Sequence, residues 1–178
     1  MRTWRRLILF LEAIVFTILV PGTVAFWLPT AVLDPRRLTM PPSWSLPQVL
    51  ALLPLGVGAT VYLRCLWEFA TRGRGIPAPI DHPKQLVVTG LYRYVRNPMY
   101  LGVLLFLFGE AWFYEYGAFA LYALAWLAFV HLNVLVYEEP NLRRKFGESF
   151  ERYAASVSRW IPGRKYQQSD SAGAAHDL

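Results

Sequence analysis

The chain has 178 residues, of which 55% are hydrophobic and 16% aromatic, and its mean hydropathy is +0.30. A soluble domain of this size does not need so much apolar surface, so the composition argues against a water-soluble fold. The formal net charge of +6 does not indicate a nucleic-acid partner, because lysines and arginines concentrate in three segments, residues 1–6, 72–96 and 143–165. Membrane lipids with anionic headgroups are the simpler partner for these charges.

Four apolar segments predict an all-α polytopic membrane protein, since about 20 apolar residues match a bilayer core of roughly 30 Å. In chain order the predicted spans are Leu7–Leu28, Val49–Ala70, Pro98–Tyr114 and Ala118–Tyr137. The arginines before the first span resemble a signal peptide, but the apolar run is too long, and we interpret it as an anchor.

Four spans place the three basic segments on one side of the membrane. By the positive-inside rule that side is cytoplasmic, and so are both termini. We therefore expect an integral protein of the bacterial inner (cytoplasmic) membrane. The oligomeric state cannot be predicted from the sequence.

The chain divides into three predicted parts. Residues 1–70 form an N-terminal pair of transmembrane helices. Residues 71–162 form a core of cytoplasmic loop, transmembrane hairpin and amphipathic helix, and residues 163–178 form a polar tail that we predict to be disordered. The amphipathic helix is predicted for residues 138–156, because apolar residues recur there at spacings of three and four. These are Leu142, Phe146, Phe150, Tyr153 and Val157.

Two charged clusters flank the hairpin and fall on the same membrane face. Charges are costly near hydrocarbon, so such clusters are functional candidates. Asn97 is a good helix N-cap and Pro98 a good first helical residue, and the positive helix end beside Arg96 would attract an anionic group. Glu138 and Glu139, at the far end of the hairpin, could hold a cationic group of the same ligand. S-adenosylmethionine, a zwitterion that also carries a sulfonium, suits this pair of sites.

Two sequence blocks carry a family resemblance. The first consists of Leu86-Val87, Gly90, Tyr92, Arg96, Pro98, Tyr100 and Gly102, and the second of Glu138-Glu139, Leu142, Phe146-Gly147 and Tyr153, before a closing Trp160-Ile161-Pro162. From Gly73 to Pro162 the chain resembles integral-membrane methyltransferases of the isoprenylcysteine carboxyl methyltransferase and phospholipid methyltransferase type. It departs from the carboxyl methyltransferases at Asn97, where they usually have His, and at Phe150, where Tyr is common.

The resemblance implies a cytoplasmic S-adenosylmethionine pocket and a lipid-like or prenylated acceptor that arrives from the bilayer. Arg96 and Glu138 are the expected catalytic residues; Glu138 would serve as a base if the acceptor is an amine, whereas a carboxylate or thiolate needs none. Glu139 would take the donor's ammonium, and three apolar residues would contact its adenine. The expected cofactor-binding residues are Leu86, Val87, Val88, Gly90, Tyr92, Arg96, Asn97, Pro98, Tyr100 and Glu139.

Two other functions remain open from the sequence. One is an NADPH-dependent membrane reductase, because the C-terminal halves of sterol reductases resemble the same region. The other is a non-enzymatic membrane scaffold.

Several polar residues also have a structural interpretation. Tyr92 could belong to an interfacial aromatic belt, and Cys65 is expected to pack in an apolar helix. His131 and Asn133, within the fourth span, are expected to form interhelical hydrogen bonds. The three scattered histidines and single cysteine offer no metal site.

Overall fold

The structure is a computed structural model that describes residues 2–41, 43–69 and 86–167, without the side chains of residues 2–3 and 5–10. Every regular element in these ranges is helical, as the all-α prediction requires. In chain order the α-helices are α1 (Arg2–Leu19), α2 (Leu28–Val32), α3 (Leu46–Glu68), α4 (Pro98–Phe113), α5 (Gly117–Asn133), α6 (Glu139–Phe146) and α7 (Glu148–Ser156). Residues 71–85, within the predicted cytoplasmic loop, and most of the predicted disordered tail lie outside the described residues.

Three helical runs are long and apolar enough to cross a membrane in the part of the chain that the structure describes. They are Leu11–Val32, Leu46–Glu68 and Gly117–Phe146. Helix α4 has 16 residues, which at 1.5 Å per residue is roughly 24 Å and shorter than a bilayer core. The structure thus confirms three of the four predicted spans by length and leaves α4 as a shorter apolar helix.

The predicted ends of the first and last spans were wrong. The first helical run continues beyond Leu28 to Val32, through a π-helical turn at Thr23–Trp27 that follows Pro21. Because proline has no N–H to donate, the backbone there adjusts its hydrogen-bond pattern instead of ending the helix.

The prediction of one amphipathic helix over residues 138–156 was also wrong. The last span continues through a π-helical turn at Val134–Glu138 into α6 and stops only at Phe146. Gly147 then breaks the helix with a φ of +51°, a conformation that glycine adopts without the cost paid by other residues. Only α7 is a separate helix, and the two glutamates lie inside a continuous helical run.

Three glycines allow α3 and α4 to pack backbone against backbone. A Cβ atom on Gly58 would lie 2.6 Å from the carbonyl oxygen of Gly102 and 2.7 Å from the backbone nitrogen of Phe106. A Cβ on Gly109 would lie 2.9 Å from the backbone nitrogen of Leu55. Small residues that permit such close approach are typical of helix pairs in membranes.

Contacts between the helices define two ends of the bundle. At one end Gln48 Nε2 donates a hydrogen bond to Glu115 Oε1 at 3.2 Å. At the other, which we call the charged end, α3 finishes, α4 begins and α6 carries Glu139. A hydrogen bond of 2.8 Å between the hydroxyls of Thr17 and Tyr62 joins the first helix to α3. Every sequence-predicted site residue within the described ranges lies at the charged end.

Candidate functional site

The loop before α4 is anchored on the last turn of α3. Thr89 Oγ1 donates to the Glu68 carboxylate at 2.7 Å, and the next residue, Gly90, has a φ of +56°. A Cβ at Gly90 would lie 2.8 Å from the Glu68 carboxyl carbon. Glycine is therefore required here both by the left-handed backbone and by the space beside the carboxylate. A short 3₁₀ turn over Gly90–Arg93 follows and leads to Arg96.

Residues 157–166, which we call the C-terminal strap, run back along this loop. Backbone hydrogen bonds join Arg96 N–H to Ser158 O at 3.0 Å, Gly163 N–H to Tyr94 O at 2.9 Å and Tyr166 N–H to Arg93 O at 2.9 Å. The strap therefore brings the C-terminal part of the described chain to the start of α4.

Glu139 lies between two guanidinium groups. Arg96 Nη1 is 3.2 Å from Glu139 Oε1. Arg159, from the strap, donates from Nε to Oε1 at 2.6 Å and from Nη2 to Oε2 at 3.0 Å. Glu139 is only 6% exposed, so its charge is stabilised mainly by these two cations. The two clusters that the sequence predicted to share a membrane face are thus in direct contact.

Arg96 is the more enclosed of the two arginines, with 12% of its side chain exposed against 28% for Arg159. Burial lowers the pKa of the Arg96 guanidinium, and the Glu139 carboxylate opposes that shift. The hydrogen bond to Glu139 raises the pKa of Arg159. Arg96 Nε is buried without a hydrogen-bond partner among the described residues. The N–H group at Arg96 Nε is therefore a donor that an additional hydrogen-bond acceptor could use.

Glu138 belongs to a different network from its neighbour. Its Oε1 accepts hydrogen bonds from the Tyr100 hydroxyl and from Asn133 Nδ2, the latter at 2.8 Å. Trp126 packs its ring edge-on to Tyr100 with centroids 6.2 Å apart. The second predicted carboxylate is thus held by a phenol and an amide rather than by cations.

Asn97 and Pro98 occupy the predicted helix start, but the capping prediction was wrong for the side chain. Pro98 is the first residue of α4 and is buried, as expected. The Asn97 side chain makes no capping bond; its Nδ2 donates instead to Arg159 O at 3.2 Å. The amide therefore holds the strap, because the carbonyl of Arg159 lies within its reach.

The apolar residues before Gly90 face two different clusters. Val87 packs with Cys65 and Tyr92 beside α3. Val88 packs with Phe150 and Tyr153 on α7, with Leu86 at the edge of that cluster. The prediction that Cys65 packs in the interior is confirmed, since it is 1% exposed. The predicted contact of residues 86–88 with an adenine stays a prediction.

Two side chains have partners other than those expected. His131 Nδ1 accepts a hydrogen bond of 2.9 Å from Trp160 Nε1, so the hydrogen bond joins it to the strap and not to another membrane helix. Tyr153 does more than pack its ring: its hydroxyl donates to Tyr92 O at 2.7 Å. Burial raises the pKa of both Tyr153 and Tyr92. Both phenols are therefore neutral at physiological pH.

Arg159 is the site residue that the sequence analysis missed. The signal was a basic residue directly before Trp160-Ile161-Pro162, the ending noted for its family resemblance. Its spacing of 20 residues from Glu139 carries no helical or strand period, so only the fold shows the contact.

A cavity of about 430 Å³ lies at the charged end, between α3, the loop and the strap. Gly90 is the only predicted site residue that lines it. Its polar lining includes Arg64, Glu68, Arg93 and Lys165.

Helices of membrane-spanning length, with carboxylates and guanidinium groups gathered at one end, define the chain as a helical integral membrane protein with a polar site at its charged end. The sequence pattern of the phospholipid methyltransferase family matches residues 47–149. This is more than half of the chain, which therefore belongs to the phospholipid methyltransferase family, a family of membrane methyltransferases. No curated protein and no solved structure matched in the corresponding searches.

The matched range includes α3, the loop, α4 and the glutamate pair. It ends before the strap, so Arg159 and Trp160 lie outside it. It begins well before Gly73, where the resemblance was first noted, and so adds α3 to the family region.

Proposed function

We propose that the protein transfers a methyl group from S-adenosylmethionine to a lipid-like acceptor at the cytoplasmic face of the bacterial inner membrane. The observation that supports this most is the 3.2 Å contact between Arg96 and Glu139 at the start of α4, in a chain of the phospholipid methyltransferase family. This contact places Arg96, which can bind an anion, next to Glu139, which can bind a cation.

The residues present suit the polar end of this donor. Arg96 Nε is buried and unpartnered among the described residues, and a carboxylate is a natural acceptor for it. The first N–H groups of α4, next to Pro98, add a partial positive charge on the same side. Glu139 offers a carboxylate for an ammonium. Since Glu139 already accepts from Arg159, we expect donor binding to loosen or replace that pair.

S-adenosylmethionine supplies a methyl group that the sulfonium already activates. The protein then has to bind, align and exclude water, and positioning alone accounts for much of such a rate enhancement. Tyr100 offers an aromatic face that could attract a cation, and its bond to Glu138 fixes the ring orientation. Arg96 would hold the donor's carboxylate in register with the acceptor.

The acceptor determines the role of Glu138. An acceptor carboxylate or thiolate needs no base, and Glu138 would then orient Tyr100 and Asn133. An amine acceptor must lose a proton, and Glu138 is the carboxylate placed to receive it. A lipid-like or prenylated acceptor would reach the site laterally, because it is already dissolved in the bilayer.

Ligand binding to the detergent-purified full chain tests the proposal. We expect heat of binding and a thermal shift with S-adenosylmethionine and S-adenosylhomocysteine, and transfer of a labelled methyl group into a lipid extract. Binding of NADPH but of neither methyl compound would contradict the proposal and favour the reductase. No response to any of the three would favour the scaffold.

A further inference from the structure

The cavity at the charged end adjoins a second, apolar hollow along α3. The cavity is lined near the end of α3 by Arg64, Arg93 and Lys165. A second hollow of about 350 Å³ is lined by Leu52, Leu53, Gly56, Val57, Thr60 and Val61. Thr60 and Val61 line both hollows, so the two adjoin on α3; together we call them the channel, with a polar end and an apolar end.

The polar end carries more positive than negative charge. Three cations and one carboxylate, Glu68, line it, and Glu68 already accepts a hydrogen bond from Thr89. The three cations make no ion pair with other residues in the described part of the chain. They come from α3, the loop and the strap, and the bond from Tyr166 N–H to Arg93 O keeps Lys165 beside the loop.

The two ends together extend along α3 over more than half of a bilayer core of roughly 30 Å. Leu52 and Arg64 are 12 residues apart on one helix, which corresponds to roughly 18 Å of rise. A Cβ atom on Gly56 would meet no atom within 4 Å, so the groove is open at that point. These residues lie on a helix that is long and apolar enough to span the membrane. Lipid acyl chains surround the exposed surface of such a helix.

We propose that this channel binds one anionic phospholipid, with its phosphate among Arg64, Arg93 and Lys165 and an acyl chain along Leu53, Gly56 and Val57. The bound headgroup joins α3, the loop and the strap, and so stabilises the charged end. The site does not include Arg96 or Glu139, and it is independent of the proposed methyl transfer. A free phosphate would use only the polar end, whereas the adjoining apolar hollow favours a lipid.

Thermal unfolding of the full chain in an uncharged detergent tests the site, with phosphatidylglycerol, phosphatidylcholine or inorganic phosphate added. We expect phosphatidylglycerol to raise Tm and to remain bound in native mass spectrometry. The zwitterionic lipid and inorganic phosphate should have much smaller effects. An equal shift with phosphatidylcholine, or with inorganic phosphate alone, would overturn the proposal.

Variants at each end of the channel test whether both parts contribute. The double variant Arg64→Gln/Arg93→Gln should weaken lipid binding by about tenfold or more, because charge-assisted contacts are lost. Gly56→Phe should fill the groove and also reduce binding, at a position where no packed neighbour is displaced.

The matched control is Arg36→Gln/Arg37→Gln, which removes two exposed arginines from the 3₁₀ turn before α3. It should leave the phosphatidylglycerol shift unchanged. The proposal would be overturned if the control variant lost the Tm shift with phosphatidylglycerol. It would also be overturned if both channel variants kept that shift, because the lipid would then bind elsewhere through overall charge.

Discussion

Arg159 donates two hydrogen bonds to Glu139, at 2.6 and 3.0 Å, across 20 residues of chain. Glu139 lies inside the last membrane-length helical run, and Arg159 lies in the strap. Asn97 reinforces the arrangement by donating to Arg159 O. Because Arg96 contacts the same carboxylate, a change at Glu139 should affect both the fold of the charged end and its ligand.

Glu139→Gln should destabilise the protein, because it leaves Arg96 and Arg159 without their counter-charge. Breaking a buried ion pair by removing one partner costs on the order of 3 kcal/mol. Chemical denaturation in detergent measures the loss. Glu151→Gln is the control, since its partner Arg143 is more than half exposed and such a surface pair contributes at most about 1 kcal/mol. Equal losses in the two variants would contradict the role of Glu139.

Arg96→Ala should weaken S-adenosylhomocysteine binding by tenfold or more, because a charge-assisted hydrogen bond contributes about 1.5–3 kcal/mol. Calorimetry on the detergent-purified chain measures the dissociation constant. Arg143→Gln, on the exposed side of α6, should bind like the wild type. If Arg96→Ala and Glu139→Gln both bind like the wild type, the donor site lies elsewhere in the bundle.

Tyr153→Phe should lower stability by about 1–3 kcal/mol, because the carbonyl of Tyr92 loses its buried donor. Tyr166→Phe provides a matched control. The Tyr166 ring packs edge-on against Tyr153 with ring centroids 5.5 Å apart, but its hydroxyl has no hydrogen-bond partner in the described ranges. Denaturant midpoints compare the two. A control variant as unstable as Tyr153→Phe would contradict this account, because Tyr166→Phe removes a hydroxyl without removing the bond to Tyr92 O.

Gly58→Ala should disrupt the contact of α3 with α4, since its Cβ would meet backbone atoms at 2.6 and 2.7 Å. Overpacking of this kind typically costs about 1–3 kcal/mol, and more where only backbone can move. Gly56→Ala, two residues away in open space, should be neutral or slightly stabilising because alanine favours helix. Thermal unfolding of both variants, with expression yield as a second measure, checks the difference.

Membrane topology can be tested with single cysteines in a Cys65→Ala background. A cysteine at Asp34 should react with an impermeant reagent on intact cells, and one at Ser156 should react only after permeabilisation. The expectation follows from the skew of lysine and arginine toward the charged end. Labelling of Ser156→Cys from outside would invert the proposed orientation.

The sequence predicted the helical class and four spans, of which three have membrane length in the described residues, and it placed the two charged clusters on the same membrane face. These features depend on local composition and on alternating helix direction, and both can be inferred without tertiary contacts. Pro98 at the start of α4 and the buried Cys65 are of the same kind. The sequence did not predict where the last helix ends, because a π-helical turn and the positive φ of Gly147 decide it.

The residues of the strap could not be assigned from the sequence. Three hydrogen-bonded pairs join residues that are 20 to 62 positions apart in the sequence. They are Arg159 with Glu139, Asn97 with the carbonyl of Arg159, and His131 with Trp160. No helical or strand periodicity connects these pairs in the sequence. A folded chain can bring any of several arginines to a buried carboxylate. Sequence composition determined that this protein enters a membrane and carries charge at one end. Only the tertiary structure decided which cations hold Glu139, because that choice depends on the path of the chain after Gly147.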